Sequence, residues 1–117
     1  MIVVAQLYIF SDLPDLKTRM PGILLCLDVG WVWYAGVDPI GLLRDHGDRI
    51  GVVHLRDFRG RASVPLGHGD MDIPVLVSEI QHLSGLRALV VEQNPGSSDP
   101  LGDMRESRRY LREMCGL

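Results

Sequence analysis

Ile23-Leu24-Leu25-Cys26-Leu27-Asp28 is a continuous apolar run of strand length that ends in a carboxylate, and its reading, with that of the segments after it, decides the fold. A run without polar alternation reads as a strand buried on both faces, the habit of parallel sheets. Gly30 and an aromatic segment, residues 31–34, come next and read as a loop. Asp38-Pro39 then opens a helix, with Asp38 as N-cap and Pro39 at the first helical position, where its missing N–H costs nothing. That helix runs to about His46, and Gly47 is its stop. The same order recurs downstream. Ile50-Gly51-Val52-Val53-His54-Leu55 is a second strand, followed by a polar loop over residues 56–69 that is rich in arginine and glycine. A helix begins near Asp72, with Pro74 in its first turn and Val75, Leu76, Ile80 and Leu83 as its apolar stripe. Ala88-Leu89-Val90-Val91-Glu92 is a third strand, and after a Pro/Gly/Ser loop a last helix spans about residues 100–114. Toward the N-terminus, residues 2–10 read as a further strand and residues 13–20 as a short helix weakened by Pro14. Strand-length runs alternating with helical segments are the signature of a parallel α/β sheet.

Composition narrows the function classes. The chain has 117 residues, 46% of them hydrophobic and 23% charged, and a formal charge of -3, which fits one globular unit and excludes disordered or collagen-like chains. One lysine and eleven arginines against fifteen acidic residues leave no basic field for a phosphate backbone, so no nucleic-acid partner is expected. No apolar stretch reaches the roughly 18 clean residues of a membrane span, and the N-terminus lacks a basic region ahead of its apolar run. No membrane association is expected, and Cys26 and Cys115 read as reduced thiols of a cytoplasmic protein.

All three strands from residue 23 onward end in a group that can bind a metal or move a proton: Asp28, His54 and Glu92. Side chains alternate along a strand, so Asp28 shares a face with Cys26 and Leu24, His54 with Val52, and Glu92 with Val90 and Ala88. Parallel strands all point the same way, which gathers the three groups at the C-terminal edge of the sheet, where α/β proteins place ligands. Asp, neutral His and Glu supply mixed oxygen and nitrogen donors suited to a divalent ion such as Mn²⁺, Co²⁺, Mg²⁺ or Zn²⁺. Such an ion polarises a carbonyl or hydroxyl on a polyol while a carboxylate removes the adjacent proton. Against this, a polar residue at a strand end is often only the start of a loop.

Cys26-Leu27-Asp28-Val29-Gly30, Val53-His54-Leu55-Arg56-Asp57, Val64-Pro65-Leu66-Gly67-His68-Gly69 and Val90-Val91-Glu92-Gln93 follow one another in an order and spacing similar to the xylose isomerase-like barrel family. That family includes sugar phosphate isomerases and epimerases and inosose dehydratases. Asp99-Pro100-Leu101 with Arg108-Arg109-Tyr110-Leu111 resembles its final helix, so the likeness covers about residues 20–117. It implies a partial (β/α)8 TIM barrel made of C-terminal βα units: residues 23–117 as strands six to eight with their helices, and residues 1–22 as a degenerate or truncated preceding unit. Full barrels run to about 250 residues. It also implies a divalent metal held by Glu, Asp, His and Glu on strands five to eight, of which Asp28, His54 and Glu92 match the last three. Glu92 then has a proton-transfer role as well.

Three departures accompany the resemblance, beside a group of loop arginines. The first glutamate of the chain is Glu79, so the strand-five Glu has no counterpart upstream of Asp28, where only Gln6 or Asp12 stands near. Trp31 replaces a histidine usual in similar sequences, and reads either as a surface on which a sugar ring stacks or as core packing. His68 lies where the family commonly has Glu, beside a substrate or within a plain loop turn. Arg56, Arg59 and Arg61 either hold a substrate phosphate or carboxylate at the mouth of the site or belong to a solvated loop.

The implied activity is a metal-dependent isomerase or epimerase acting on a sugar or sugar phosphate by proton abstraction beside a carbonyl. Inosose dehydration is the closest alternative chemistry, since it begins with the same step. A rival reading is a non-catalytic truncated half-barrel. Three or four parallel strands cannot close a barrel, and the open edge of such a sheet invites pairing with a second copy or with a complementing half-barrel.

Overall fold

A computed structural model describes residues 4–6, 21–93 and 97–117 of the chain. The helix expected over residues 13–20 and most of the strand expected over residues 2–10 lie outside them. The described elements are β1 (Val4–Gln6), β2 (Leu24–Asp28), α1 (Val29–Tyr34), α2 (Pro39–His46), β3 (Ile50–Leu55), β4 (Asp57–Arg59), β5 (Ala62–Val64), α3 (Ile73–Gln81), β6 (Ala88–Val91) and α4 (Pro100–Cys115). The order β1-β2-β3-β6 forms one sheet in which every pairing is parallel, as the strand–helix alternation requires.

Each helix of the described residues starts on an aspartate. Asp38 accepts the backbone N–H groups of Ile40 and Gly41, Asp72 that of Val75 and Asp99 that of Gly102, in each case with proline in the first turn. The carboxylate satisfies N–H groups that have no helical partner, and its charge complements the helix dipole. At the other end of α2, Gly47 is right-handed rather than left-handed, so it is no positive-φ cap. A Cβ there would lie 2.8 Å from both the Leu43 carbonyl and Leu83 Cδ2, and close packing explains the residue.

Three sequence expectations are corrected. Residues 31–34 are not a loop: they belong to α1, which forms because the Asp28 side chain caps it by accepting the Trp31 N–H. The polar segment over residues 56–69 contains the antiparallel hairpin β4–β5, turned by Gly60 with φ at +58°. The stripe of α3 is rotated from the expected one. Ile73, Leu76, Val77 and Ile80 are buried, whereas Val75 faces outward and Leu83 lies beyond the helix.

Burial alternates along β3 and β6, so those strands are not covered equally on both faces. Leu27, Val53 and Leu55 are buried against the helices, with Val29, Val32 and Leu43 among the partners, and Leu89 and Val91 pack on the same cluster. On the opposite face Cys26 is buried, Val52 is half-buried, and Ala88 and Val90 are exposed. Asp28, His54 and Glu92 belong to that second, more open face.

Candidate metal centre

The pairing of β2 with β3 sets the site. Leu25 is level with Ile50, but Cys26 is level with Val52, so Gly51 is an extra residue in β3. Without that shift Asp28 would sit beside Val53, whose side chain points to the helices. With it, Asp28 is level with His54. His54 is in turn level with Val90 of β6, and Glu92 follows two residues later, extending the ladder by donating its N–H to the Leu55 carbonyl at 2.9 Å. One ligand atom from each of Asp28, His54 and Glu92 falls within 4.8 Å of the others.

Every oxygen of the two carboxylates has a polar neighbour. Asp28 Oδ1 accepts the Trp31 N–H at 3.0 Å, and Glu92 Oε2 lies 2.5 Å from His54 Nδ1. Arg56, the residue after β3, supplies the remaining contacts: its Nη2 is 2.9 Å from Asp28 Oδ2 and 2.7 Å from Glu92 Oε1. The Arg56 side chain is only 2% exposed and its guanidinium stands 5.2 Å from the centre of the Trp31 ring. Its burial excludes the solvated-loop alternative.

These neighbours tune the carboxyls in opposite directions. Burial raises Asp28 above its ordinary value, against the opposing pull of the Trp31 N–H and the Arg56 charge. Burial pushes Glu92 upward too, but hydrogen bonds and charge from Arg56 and His54 outweigh it and leave this carboxyl below its ordinary value. Cys26 lies on the same face one step below Asp28. Burial and then the charges of Asp28 and Glu92 push its thiol up, which keeps it protonated and a poor ligand.

The donor set fits a divalent cation. Asp28 Oδ2 is buried and, despite its ion-pair distance from Arg56, receives no well-directed hydrogen bond among the described residues, so an acceptor oxygen is left over beside a histidine nitrogen and a second carboxylate. Asp28, His54 and Glu92 are the residues that would hold the ion. Gln6 is level with Cys26, two positions short of Asp28, and Asp12 lies outside the described residues.

The other expected site residues are arranged differently. Trp31 packs on Phe58 and Tyr34, with ring centroids 5.4 and 5.2 Å away, and its remaining face carries Arg56. Arg59 is exposed and donates to the His68 carbonyl. Arg61 is exposed, donates to the Tyr34 hydroxyl at 3.0 Å and lies over that ring. His68 is exposed, with Nε2 3.5 Å from Glu106 of α4. Arg56 thus joins the cluster directly, while these contacts of Arg59, Arg61 and His68 run to the segment between β5 and α3, to α1 and to α4. The sequence reading named Gly51 and Gly30 without giving either a role in the site. The signal for the first was an isolated glycine inside a strand, which marks a bulge.

No family model matches the chain. It is 27% identical to an inosose dehydratase of Clostridium tetani over 81% of this chain and 39% of that protein. To the inosose dehydratase of Geobacillus thermodenitrificans it is 29% identical over 86% of this chain and 41% of that one. The chain therefore spans about two fifths of the curated relatives it matches. Among solved structures, it superposes with a TM-score of 0.72 on a sugar phosphate isomerase/epimerase from Parabacteroides distasonis, at 20% identity, over 90% of this chain and 36% of that one. The probable 3-DHS dehydratase AsbF of petrobactin synthesis from Bacillus anthracis gives 0.79 at 16% identity, over 97% and 50%. The fold is part of a TIM barrel, built of consecutive parallel βα units with a cluster of ionisable groups at the C-terminal strand ends. These likenesses support the xylose isomerase-like TIM-barrel family, whose relatives here are named as sugar-processing enzymes, and the chain is similar to part of that fold.

Proposed function

We propose that the chain carries part of the active site of a divalent-metal-dependent enzyme that abstracts a proton beside a carbonyl on a sugar-like substrate. The observation that carries this reading is the convergence of Asp28, His54 and Glu92 within 4.8 Å at the C-terminal strand ends. A bound divalent ion supplies Lewis-acid polarisation of the substrate carbonyl or hydroxyl. Glu92 is the carboxylate suited to take the proton. Its side chain is 39% exposed, open to a ligand in a way that Asp28 at 6% is not. Asp28, fixed by the α1 cap, serves as a rigid anchor.

Two outcomes share that first step. Loss of the hydroxyl on the next carbon as water completes a dehydration, whereas return of the proton to a neighbouring carbon completes an isomerisation. The curated relatives at 27 and 29% identity are inosose dehydratases, while the isomerase/epimerase likeness is one of fold. That difference favours dehydration of an inosose-type cyclic polyol, with sugar or sugar-phosphate isomerisation as the second reading. The exposed Ala88 and Val90 beside the site favour cover by further barrel strands or by a second copy of the chain.

The test is isothermal titration of the metal-stripped chain with Mn²⁺, beside Glu92→Ala. NMR of an inosose in heavy water with Mn²⁺ then reads deuterium exchange at the carbon next to the carbonyl. Micromolar binding and exchange, both lost in the variant, are expected. Absence of Mn²⁺ binding, or binding indifferent to Glu92→Ala, overturns the reading.

A further inference from the structure

Asp28 and Glu92 have four carboxylate oxygens, and two are committed within the fold: Asp28 Oδ1 to the N–H that starts α1, and Glu92 Oε2 to His54 Nδ1. The remaining two, Asp28 Oδ2 and Glu92 Oε1, are the carboxylate oxygens that face Arg56. Arg56 Nη2 stands on both, at 2.9 and 2.7 Å. We infer that Arg56 is an internal competitor for the divalent cation: its guanidinium neutralises the two carboxylates in the metal-free site, and cation binding displaces it from them. Arg56 is thus a positioning residue that sets the affinity of the site, rather than a holder of substrate phosphate.

Two further features show that the chain is shaped around this side chain. Gly30, in α1, lies so close to the Arg56 stem that a Cβ there would fall 2.1 Å from Arg56 Cγ and 2.8 Å from Cδ, so the absence of a side chain at residue 30 is what admits the arginine. On the far side the Trp31 ring carries the guanidinium, a contact that favours a planar delocalised cation. A buried guanidinium between two carboxylates holds the metal-free site together, and removing it leaves two partly buried negative charges close together. A divalent ion relieves that repulsion more in a variant without Arg56 than in the native chain.

This inference rests on the metal reading above, and the experiment separates the two. Mn²⁺ affinity is measured by titration for the native chain, Arg56→Met and Arg56→Lys, with thermal melting midpoints recorded in chelator and in saturating Mn²⁺. Competition predicts affinity at least about tenfold tighter in Arg56→Met and an intermediate value in Arg56→Lys, whose compact ammonium bridges two carboxylates less well. It also predicts that the melting deficit of each variant in chelator shrinks or vanishes with Mn²⁺, whereas a purely structural role lowers both midpoints alike. If Arg56→Met fails to fold, Arg56→Lys carries the test. Binding by the native chain and equal or weaker binding by the variants overturns the competitor role and leaves the metal site standing. No Mn²⁺ binding by any of them overturns the metal site itself and the inference with it.

Discussion

Asp57 accepts the backbone N–H of Gly69 at 2.9 Å, so closely that a Cβ on residue 69 would fall 2.1 Å from Asp57 Oδ1. The same fully buried carboxylate accepts the N–H groups of Gly67 at 3.0 Å and of Met71 at 3.3 Å. One side chain at the start of β4 thereby satisfies three donors of the segment that joins β5 to α3, the segment that carries His68. Packing from α4 adds to the clamp, because Gly67, with φ at +84°, has the Tyr110 ring where a Cβ would be.

Removing the carboxylate strands these donors. Each buried donor left unsatisfied costs about 1–3 kcal/mol, and water entering the gap recovers part of it, so Asp57→Ala should destabilise the chain by about 3 kcal/mol. Asp57→Asn keeps one acceptor oxygen and should lose less. Urea-unfolding midpoints of the three proteins check the order, and an Asp57→Ala midpoint equal to the native one would show that the clamp contributes nothing.

A second prediction concerns the register shift at Gly51. A Cβ on residue 51 would lie 2.7 and 2.8 Å from Leu24 Cδ1 and Cβ, in the very step of the sheet where Asp28 is brought level with His54. Gly51→Ala should therefore cost about 1–3 kcal/mol by overpacking. It should also weaken Mn²⁺ binding several-fold, since the pairing that aligns two of the three ligands is strained. A packing control, Val77→Ala at a fully buried position of α3, should lose comparable stability and keep its Mn²⁺ affinity. Equal affinity in Gly51→Ala and the control would disconnect the bulge from the site.

How much of the molecule is legible in the sequence depends on the range over which each feature is decided. The starts of α2, α3 and α4 were legible because an Asp N-cap and a nearby Pro act within a single turn. The convergence of Asp28, His54 and Glu92 was legible because period-two alternation and parallel strand direction are both local rules. Hidden were the features settled by pairing between distant segments. The shift at Gly51 depends on which residue of β2 lies opposite it. Arg56 looked like one of three loop arginines until folding placed it between two strand-end carboxylates that are 28 and 36 positions away. The stripe of α3 was misjudged because Val75 and Val77 are chemically identical, and only the placement of the sheet decides which one is buried.

The opposed shifts of Asp28 and Glu92 give a pH signature for the metal-stripped chain. Glu92 is held below its ordinary value of 4.5, so its contribution to stability is present above pH 4.5 and is lost as pH falls through the lower folded value. Glu92→Gln should therefore be less stable than the native chain at neutral pH, with the gap closing on acidification below pH 4.5. Asp28 is raised above its ordinary value of 3.8, so folding favours its protonated form. Its contribution is complete below pH 3.8 and is lost as pH rises through the raised folded value. Asp28→Asn keeps a residue that caps helices well and does not bury a charge, so its stability relative to the native chain should improve as pH rises from 3.8 toward neutrality. Urea midpoints followed from about pH 3 to about pH 7 in the presence of chelator read both gaps at once, since native-state differences between carboxylate and amide carry the linkage. Gaps that change in the same direction for the two variants would mean that burial does not outweigh the Arg56 charge and the Trp31 N–H at Asp28.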